Sequence, residues 1–179
     1  MAFTLYEPDT APSESAAELE ISAKVFGFIP NLHKVLAASP IALKTYKHLH
    51  TQFQNTSFSA TELTVVWQTI NHFHGCHYCL PAHTGIAYSM DVDADIINEL
   101  YEGKALADTK LRVLQTTTLA LTEQRGVLTE EQLQAFKAVG YGEQQLLEIV
   151  IGLAQKVVSN YTNHLANTPV DDQFAKFVK

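Results

Sequence analysis

Apolar residues along this chain recur three and four positions apart, the spacing that places them on one face of a helix. Ser59-Ala-Thr-Glu62 has capping-box form and leads into Leu63, Val66, Trp67, Ile70 and Phe73, with Gly75 as the stop. Ser15-Ala-Ala-Glu18 has the same form and precedes Leu19, Ala23 and Phe26, ending at Gly27. Pro30 and Pro40 bracket a short helix, "NLHKVLAAS", and the stretch after Pro40 carries Leu43, Tyr46 and Phe53 on one side. A further helix is predicted over "CHYCLPAHTGIAYSM", where Pro81 is tolerated because it falls near the first turn. Asp93 and Asp108 are predicted caps of the next two helices, and Thr129-Glu-Glu-Gln132 is a third capping box. A long helix follows from about Glu143 to His164, apolar nearly all round at Leu146, Leu147, Val150, Leu153 and Val157, so its place is the core or a subunit contact. No hairpin dipeptide separates alternating runs. The expected fold is all-α, a single-domain helical bundle over residues 1–179, with residues 1–12 as a loose N-terminal arm and 171–179 as a short tail.

Composition narrows the functions without changing the fold. A chain of 179 residues with 46% apolar and 17% charged residues can bury a full core. A net charge of −7 with no basic cluster argues against nucleic acid and against an anionic membrane surface. There is no apolar run near the ~20 residues of a spanning helix, and the N-terminal residues lack the pattern of a signal peptide. The expected location is the cytoplasm, where a Cys-x-x-Cys is redox-active or metal-binding more often than structural.

Both cysteines and four of the eight histidines lie in "HFHGCHYCLPAH", residues 72–83. Cys76 and Cys79 are three apart and Cys79 and His83 are four apart, so one helix start stacks two sulfurs and an imidazole on one face. Unpaired amides and the dipole at that end stabilise a thiolate, and His83 can take its proton. Peroxide oxidises such a thiolate to a sulfenic acid that a second thiol captures as a disulfide. Zinc is the rival chemistry, with Cys76, Cys79, His83 and one of His72, His74 or His77 as ligands. Against it, no second cysteine pair exists downstream. A third possibility is that both cysteines are small buried hydrophobes and the flanking histidines ordinary surface residues.

The stretch "FSATELTVVWQTINHFHGCHYCLPAHTGIA", residues 58–87, resembles the alkylhydroperoxidase D-like, carboxymuconolactone decarboxylase superfamily, in its peroxidase-related branch. Weaker resemblance extends to "EIVIGLAQKVVSNYTNHLANTP", residues 148–169. The resemblance implies an all-α, homo-oligomeric, cysteine-based peroxidase cycling between dithiol and disulfide, with no cofactor and no metal. Its partners would be a hydroperoxide substrate and a dithiol donor such as a lipoyl protein. By the same resemblance Cys79 is the peroxidatic thiol, His83 its proton-relay partner, and Cys76 the thiol that resolves or exchanges with the donor. The branch's relay Glu stands twelve residues before the first Cys, where this chain has Thr64; Glu62 stands fourteen before. Two residues along a helix is a rotation of about 200°, so Glu62 is either a helix cap or a relay acid reached through another register.

Alternatives from other classes are a carboxymuconolactone decarboxylase-like enzyme without peroxidase activity, and a non-catalytic redox-sensing or metal-binding helical module. Trp67 sits on the apolar stripe and is expected in the core. Asn160, Tyr161, Asn163 and His164 form a polar cluster expected to cap the long helix, or else to bring His164 or Tyr161 to the wall of the thiol site.

Overall fold

The computed structural model describes residues 3–179 and is all-helical, with no strand among the described residues. Nine helices follow in chain order: α1 Ser13–Phe26, α2 Asn31–Leu36, α3 Pro40–Gln54, α4 Ala60–Phe73, α5 Cys79–Ser89, α6 Ala94–Tyr101, α7 Thr109–Glu123, α8 Glu130–Ala138 and α9 Glu143–Ala166. A single 3-10 turn, Ala175–Phe177, closes the chain.

The caps explain most of the boundaries. Ser59 and Glu62 complete a reciprocal capping box at the start of α4, as do Thr129 and Gln132 at α8. Asp93 and Asp108 accept amide hydrogens from the first turns of α6 and α7, each contact contributing about 1 kcal/mol. The expected box at Ser15–Glu18 does not form. Pro12 begins α1 three residues earlier, its carbonyl accepting from Ser15 and Ala16, and Glu18 is drawn away into an ion pair with Lys47. Ser15 is therefore an interior residue of the helix, fully buried.

Helix α4 is the axis of the molecule. Its ten residues from Glu62 to Asn71 are all buried, and α5, α6, α7 and α9 pack around it. One side of α4 enters a core with Phe53, Phe58, Leu114, Phe136 and Ile149. Trp67 is fully buried there, as expected of its stripe, and its indole N–H donates to Gln155 Oε1 at 2.7 Å. A second cluster gathers Leu19, Leu32, Leu43 and Tyr46 around the two cysteines. Each large side chain buried in these clusters contributes roughly 1.5–3 kcal/mol of apolar transfer.

Residues 3–12, within the expected loose arm, and residues 171–179, the expected short tail, both make contacts with the bundle. Residue Tyr6 bonds the Lys34 carbonyl and Glu7 pairs with Lys34, so the arm lies along α2; Met1 and Ala2 fall outside the described residues. The tail folds back over α5. Asp171 accepts from the Asn31 amide at 2.9 Å and from the Tyr78 hydroxyl. Phe174 and Phe177 settle on Gly85 so closely that a Cβ there would meet Phe174 Cδ1 at 2.8 Å. Only glycine admits that approach.

Candidate active site

The thiols owe their place to the way α4 stops. Gly75 has φ +60°, its N–H bonds the His72 carbonyl at 3.0 Å, and the next amide, Cys76, bonds the Asn71 carbonyl at 3.1 Å. This pair of reversed bonds is the Schellman ending, which requires a left-handed residue and so selects glycine. The turn sets Cys76 at the mouth of α5. There the Leu80 amide bonds the Cys76 carbonyl at 3.1 Å and the Cys79 amide donates to Cys76 Sγ at 3.3 Å. These are the bonds of an N-cap residue, with sulfur where serine or aspartate would put oxygen. Pro81 has no N–H and removes the next rung, which is why the regular helix begins only at Cys79 although the chain already turns at Cys76.

Polar side chains on three helices hold this corner. From α4, Gln68 donates to the Leu80 carbonyl and the Thr84 hydroxyl, and Asn71 donates to Gln68 and to the Cys79 carbonyl. From α9, Asn160 donates to Asn71 Oδ1 at 3.0 Å and Asn163 donates to Cys79 Sγ at 3.2 Å. Lys156, one turn before Asn160, is fully buried with its ammonium facing both sulfurs, and its Nζ lies 2.9 Å from His83 Nε2. Lys156, Asn160 and Asn163 follow at i, i+4 and i+7, so they form one inner stripe of α9.

Electrostatics assign the two sulfurs different states. Burial raises the Cys79 pKa, but the Cys76 thiol, the Lys156 charge and the Asn163 and Asn160 amides outweigh it and hold Cys79 well below the ordinary thiol range. Cys76 goes the other way, pushed up by its hydrogen bond to Cys79 and by burial. The resting pair is a Cys79 thiolate beside a Cys76 thiol, and the cysteines are unbridged. Burial also lowers Lys156, and the facing sulfurs offset only part of that lowering. His83 is depressed far below its usual value by burial, then by Lys156 and His50. An ammonium can only donate, so His83 Nε2 accepts and the neutral ring carries its proton on Nδ1. That nitrogen is buried with no hydrogen-bond partner among the described residues. His50 and His33, lowered by burial to about 4 and about 3, are neutral neighbours.

A cavity of about 80 Å³ opens over this pair, and Cys79, His83 and Lys156 are in its wall while Cys76 is not. Aromatic and apolar side chains, Phe26, Phe28, Leu32, Tyr46 and Phe174 among them, make up most of the remainder. Cys79 is 2% exposed and Cys76 0%, so a small molecule in the cavity meets Cys79 first.

The residues expected from sequence divide accordingly. Cys76, Cys79 and His83 converge. No hydrogen bond joins His83 to Cys79; Lys156 stands between them, a residue that sequence reasoning missed. Glu62 lies at the opposite end of α4, roughly 16 Å along the axis by the helical rise. Its oxygens accept from the Ser59 amide and the Tyr141 hydroxyl and pair with Lys110 at 2.9 Å. Those are a cap's contacts, and Thr64, at the relay position, spends its hydroxyl on the Ala60 carbonyl. Of the zinc candidates, His77 bonds the Thr168 carbonyl and His74 packs edge-on against Tyr161. Among the described residues no three His, Cys, Asp or Glu side chains gather as a metal site. The polar cluster near the end of α9 is not its cap: Asn167, at φ 46°, ends the helix, and Asn160 and Asn163 serve the thiols while Tyr161 and His164 face out. A signal for this was present. Three polar residues at helical spacing inside an otherwise apolar helix mark a buried polar face, which counting apolar positions alone passes over.

The fold that carries this site is that of the alkylhydroperoxidase D core, in agreement with the resemblance borne by residues 58–87. An uncharacterized peroxidase-related protein from Silicibacter sp. TM1040 superposes with a TM-score of 0.81 at 17% identity, covering 97% of this chain and 92% of that one. The alkylhydroperoxidase AhpD core protein from Ralstonia eutropha JMP134, also described as uncharacterized and peroxidase-related, gives 0.80 at 18% identity over 96% and 93%. The debrominase Bmp8 gives 0.79 at 16% identity over 98% and 95%. A cysteine-to-alanine variant of that debrominase has been solved with 2,3,4-tribromopyrrole. No protein-family model matches the chain, and no curated protein matches it in sequence. Among the described residues no helix is long and apolar enough to cross a membrane.

Proposed function

We propose that the chain is a thiol-dependent peroxidase that reduces small hydroperoxides through a Cys76–Cys79 dithiol/disulfide cycle. The observation that carries this is the division of labour between the sulfurs: a thiolate in the cavity wall with a protonated thiol directly beneath it. Cys79 attacks the peroxide oxygen and becomes a sulfenic acid, and Cys76 displaces water from it to close the disulfide. A dithiol donor such as a lipoyl protein restores the pair. Because Cys76 is fully buried, exchange with a macromolecular donor requires the tail and α2 to open, or attack on Cys79 through the cavity. The proposal extends to a homo-oligomer in the cytoplasm, with the exposed stripe Leu147, Ile151, Tyr161 and Leu165 of α9 as the face for a second copy.

The test is peroxide consumption with dihydrolipoamide as donor. Cys79→Ser should abolish it, and Cys76→Ser should leave one stoichiometric oxidation without turnover. Full turnover in Cys79→Ser would reverse the roles, and full turnover in both variants would remove the thiols from the chemistry.

A second reading is favoured by the aromatic wall of the cavity and by the debrominase among the neighbours. The same thiolate can attack a halogenated heteroaromatic, and Cys76 can then release the reduced ring as the disulfide closes. Bromide release from 2,3,4-tribromopyrrole, without peroxide, separates this reading from the first.

A further inference from the structure

Cys79 and Lys156 are a buried anion and a buried cation facing one another, 2% and 0% exposed. Oxidation destroys only the anion. Once a disulfide forms, the ammonium is left among groups that offer it no charge: His83 on α5, His50 on α3, His33 on α2, and His74 at the end of α4. A buried ammonium without a counter-ion is costly and sheds its proton. Its Nζ is 2.9 Å from His83 Nε2, and the far nitrogen of that ring, Nδ1, is a buried donor with no partner among the described residues. His83 is also in the wall of the cavity that holds Cys79.

We propose that Lys156 and His83 form a two-stage proton donor to the group that leaves when Cys79 is oxidised, so that the buried site stays electroneutral through the cycle. The inference deepens the peroxidase reading and rests on it. In the first step the Cys79 thiolate attacks the terminal oxygen of ROOH, the O–O bond breaks, and the S–OH bond forms. His83 Nδ1 gives its proton to RO⁻ as Nε2 takes one from Lys156, leaving a neutral amine, a neutral ring and ROH. In the second step the Cys76 sulfur displaces hydroxide from Cys79, and its proton completes water. The oxidised site then holds a disulfide and neutral Lys156. A dithiol donor returns two electrons and two protons, one to Cys76 and one to Lys156, and the Cys79 thiolate is regenerated opposite an ammonium. The ring's two nitrogens thus have separate tasks, and Lys156 explains why a site built around a buried thiolate needs no carboxylate relay.

Two measurements test the proposal. The first is the proton count of the dithiol/disulfide equilibrium, read from its pH dependence against a lipoamide couple, alongside the ultraviolet absorbance of the thiolate. The wild type should take up two protons per two electrons even where absorbance shows Cys79 ionised, because Lys156 binds the second. One proton per two electrons there overturns the idea. In Lys156→Met the count should follow thiol ionisation alone and fall to one wherever Cys79 is ionised; a count that remains two overturns the assignment to Lys156. The second measurement compares two reactions of Cys79 in His83→Gln at a pH where the thiolate is fully formed. Oxidation by hydrogen peroxide needs a proton for its leaving group and should slow at least ~100-fold, the lower end of the usual range for general acid catalysis. Alkylation by iodoacetamide expels iodide, needs no proton, and should change by less than ~3-fold on the same ground. Equal slowing of both, or of neither, overturns the role of His83. A wild type inert to peroxide sinks the peroxidase reading, and the proton count still decides the electroneutral pair.

Discussion

Replacing Lys156 by methionine removes the buried cation that faces Cys79 while keeping the side chain's length and apolar stem. A unit charge about 4 Å from the thiolate, at an effective dielectric near 20, is worth about 4 kcal/mol. At 1.36 kcal/mol per pKa unit that is up to about 3 units. The Asn163 amide at 3.2 Å and the Cys76 thiol remain, so the Cys79 pKa should climb by about 2–3 units, back toward the free-thiol value near 8.5. Starting from about 5, such a climb ends at roughly 7–8, where the thiol is still roughly 10–50% ionised at pH 7. The thiolate that remains is, however, intrinsically more nucleophilic, because nucleophilicity rises with pKa at a slope of about 0.4–0.5. A loss of roughly 2–10-fold in thiolate is thus offset by a gain of roughly 10-fold in reactivity per thiolate, and a rate at one pH would move only a few-fold.

The assay must therefore be the midpoint of the pH profile. Iodoacetamide alkylation across pH, with the modified peptide assigned by mass spectrometry, gives the Cys79 midpoint apart from Cys76. Methionine also spares the fold an uncompensated charge, since the thiol of the variant can protonate; replacing a buried charge by an apolar residue of similar volume is often neutral or stabilising. The melting temperature should stay level or rise. A midpoint displaced by less than about half a unit would falsify the electrostatic account and leave the amides and Cys76 as the whole cause.

Other substitutions separate neighbouring contributions. Asn163→Ala deletes one neutral donor to Cys79 Sγ, worth about 1 kcal/mol, and should raise the same midpoint by less than one unit. Glu62→Gln should lower stability by about 2 kcal/mol, combining cap and Tyr141 contacts, and leave the Cys79 midpoint where it is; a displaced midpoint would restore Glu62 to the thiol chemistry. The Glu62 pKa is lowered to about 2, its hydrogen bonds from Ser59, Tyr141 and Lys110 overcoming burial. A depressed acid stabilises the fold above its unfolded pKa near 4.3, and that share should vanish as pH falls through about 2 in wild type but not in the Gln variant. Gly85→Ala would ordinarily gain about 1 kcal/mol in a helix. Here its Cβ would stand 2.8–2.9 Å from Phe174 and Phe177, so the tail should lift, melting should come earlier, and bulky maleimides should reach Cys79 faster.

What sequence revealed was what neighbours in sequence decide. Capping boxes at Ser59 and Thr129, the stop at Gly75 and the contact of Cys76 with Cys79 lie within four residues, and each was legible; His83 meets the thiols only by way of Lys156. Ser15 misled because a box is only a competition among nearby caps, and Pro12, with its φ already set, won while Lys47, 29 residues away, took Glu18. Lys156 was illegible for a stronger reason. Its partners lie 73 and 77 positions earlier, and a lysine in an amphipathic pattern is by default solvent-facing. The tail's latch spans 140 residues, from Asp171 to Asn31, and no local pattern announces it.

That contrast bears on how the site is built. Local sequence supplies the thiols and a helix start, but Cys79 is the first residue of a helix whose next rung Pro81 removes, so its amides alone are a weak source of stabilisation. The Cys76 thiol lowers Cys79 most, and the remaining contributions come from α9, through Lys156, Asn163 and Asn160, and reach Cys79 only when α9 is docked on α4 and α5. The Cys79 pKa is therefore a joint property of the Cys-x-x-Cys segment and of the tertiary packing that brings α9 to it. A peptide of residues 72–90 should show a Cys79 midpoint close to that of a free thiol, about 8.5, while the folded chain titrates well below it. If the peptide alone reproduced the low midpoint, the helix start would suffice and the inner stripe of α9 would have no electrostatic part to play.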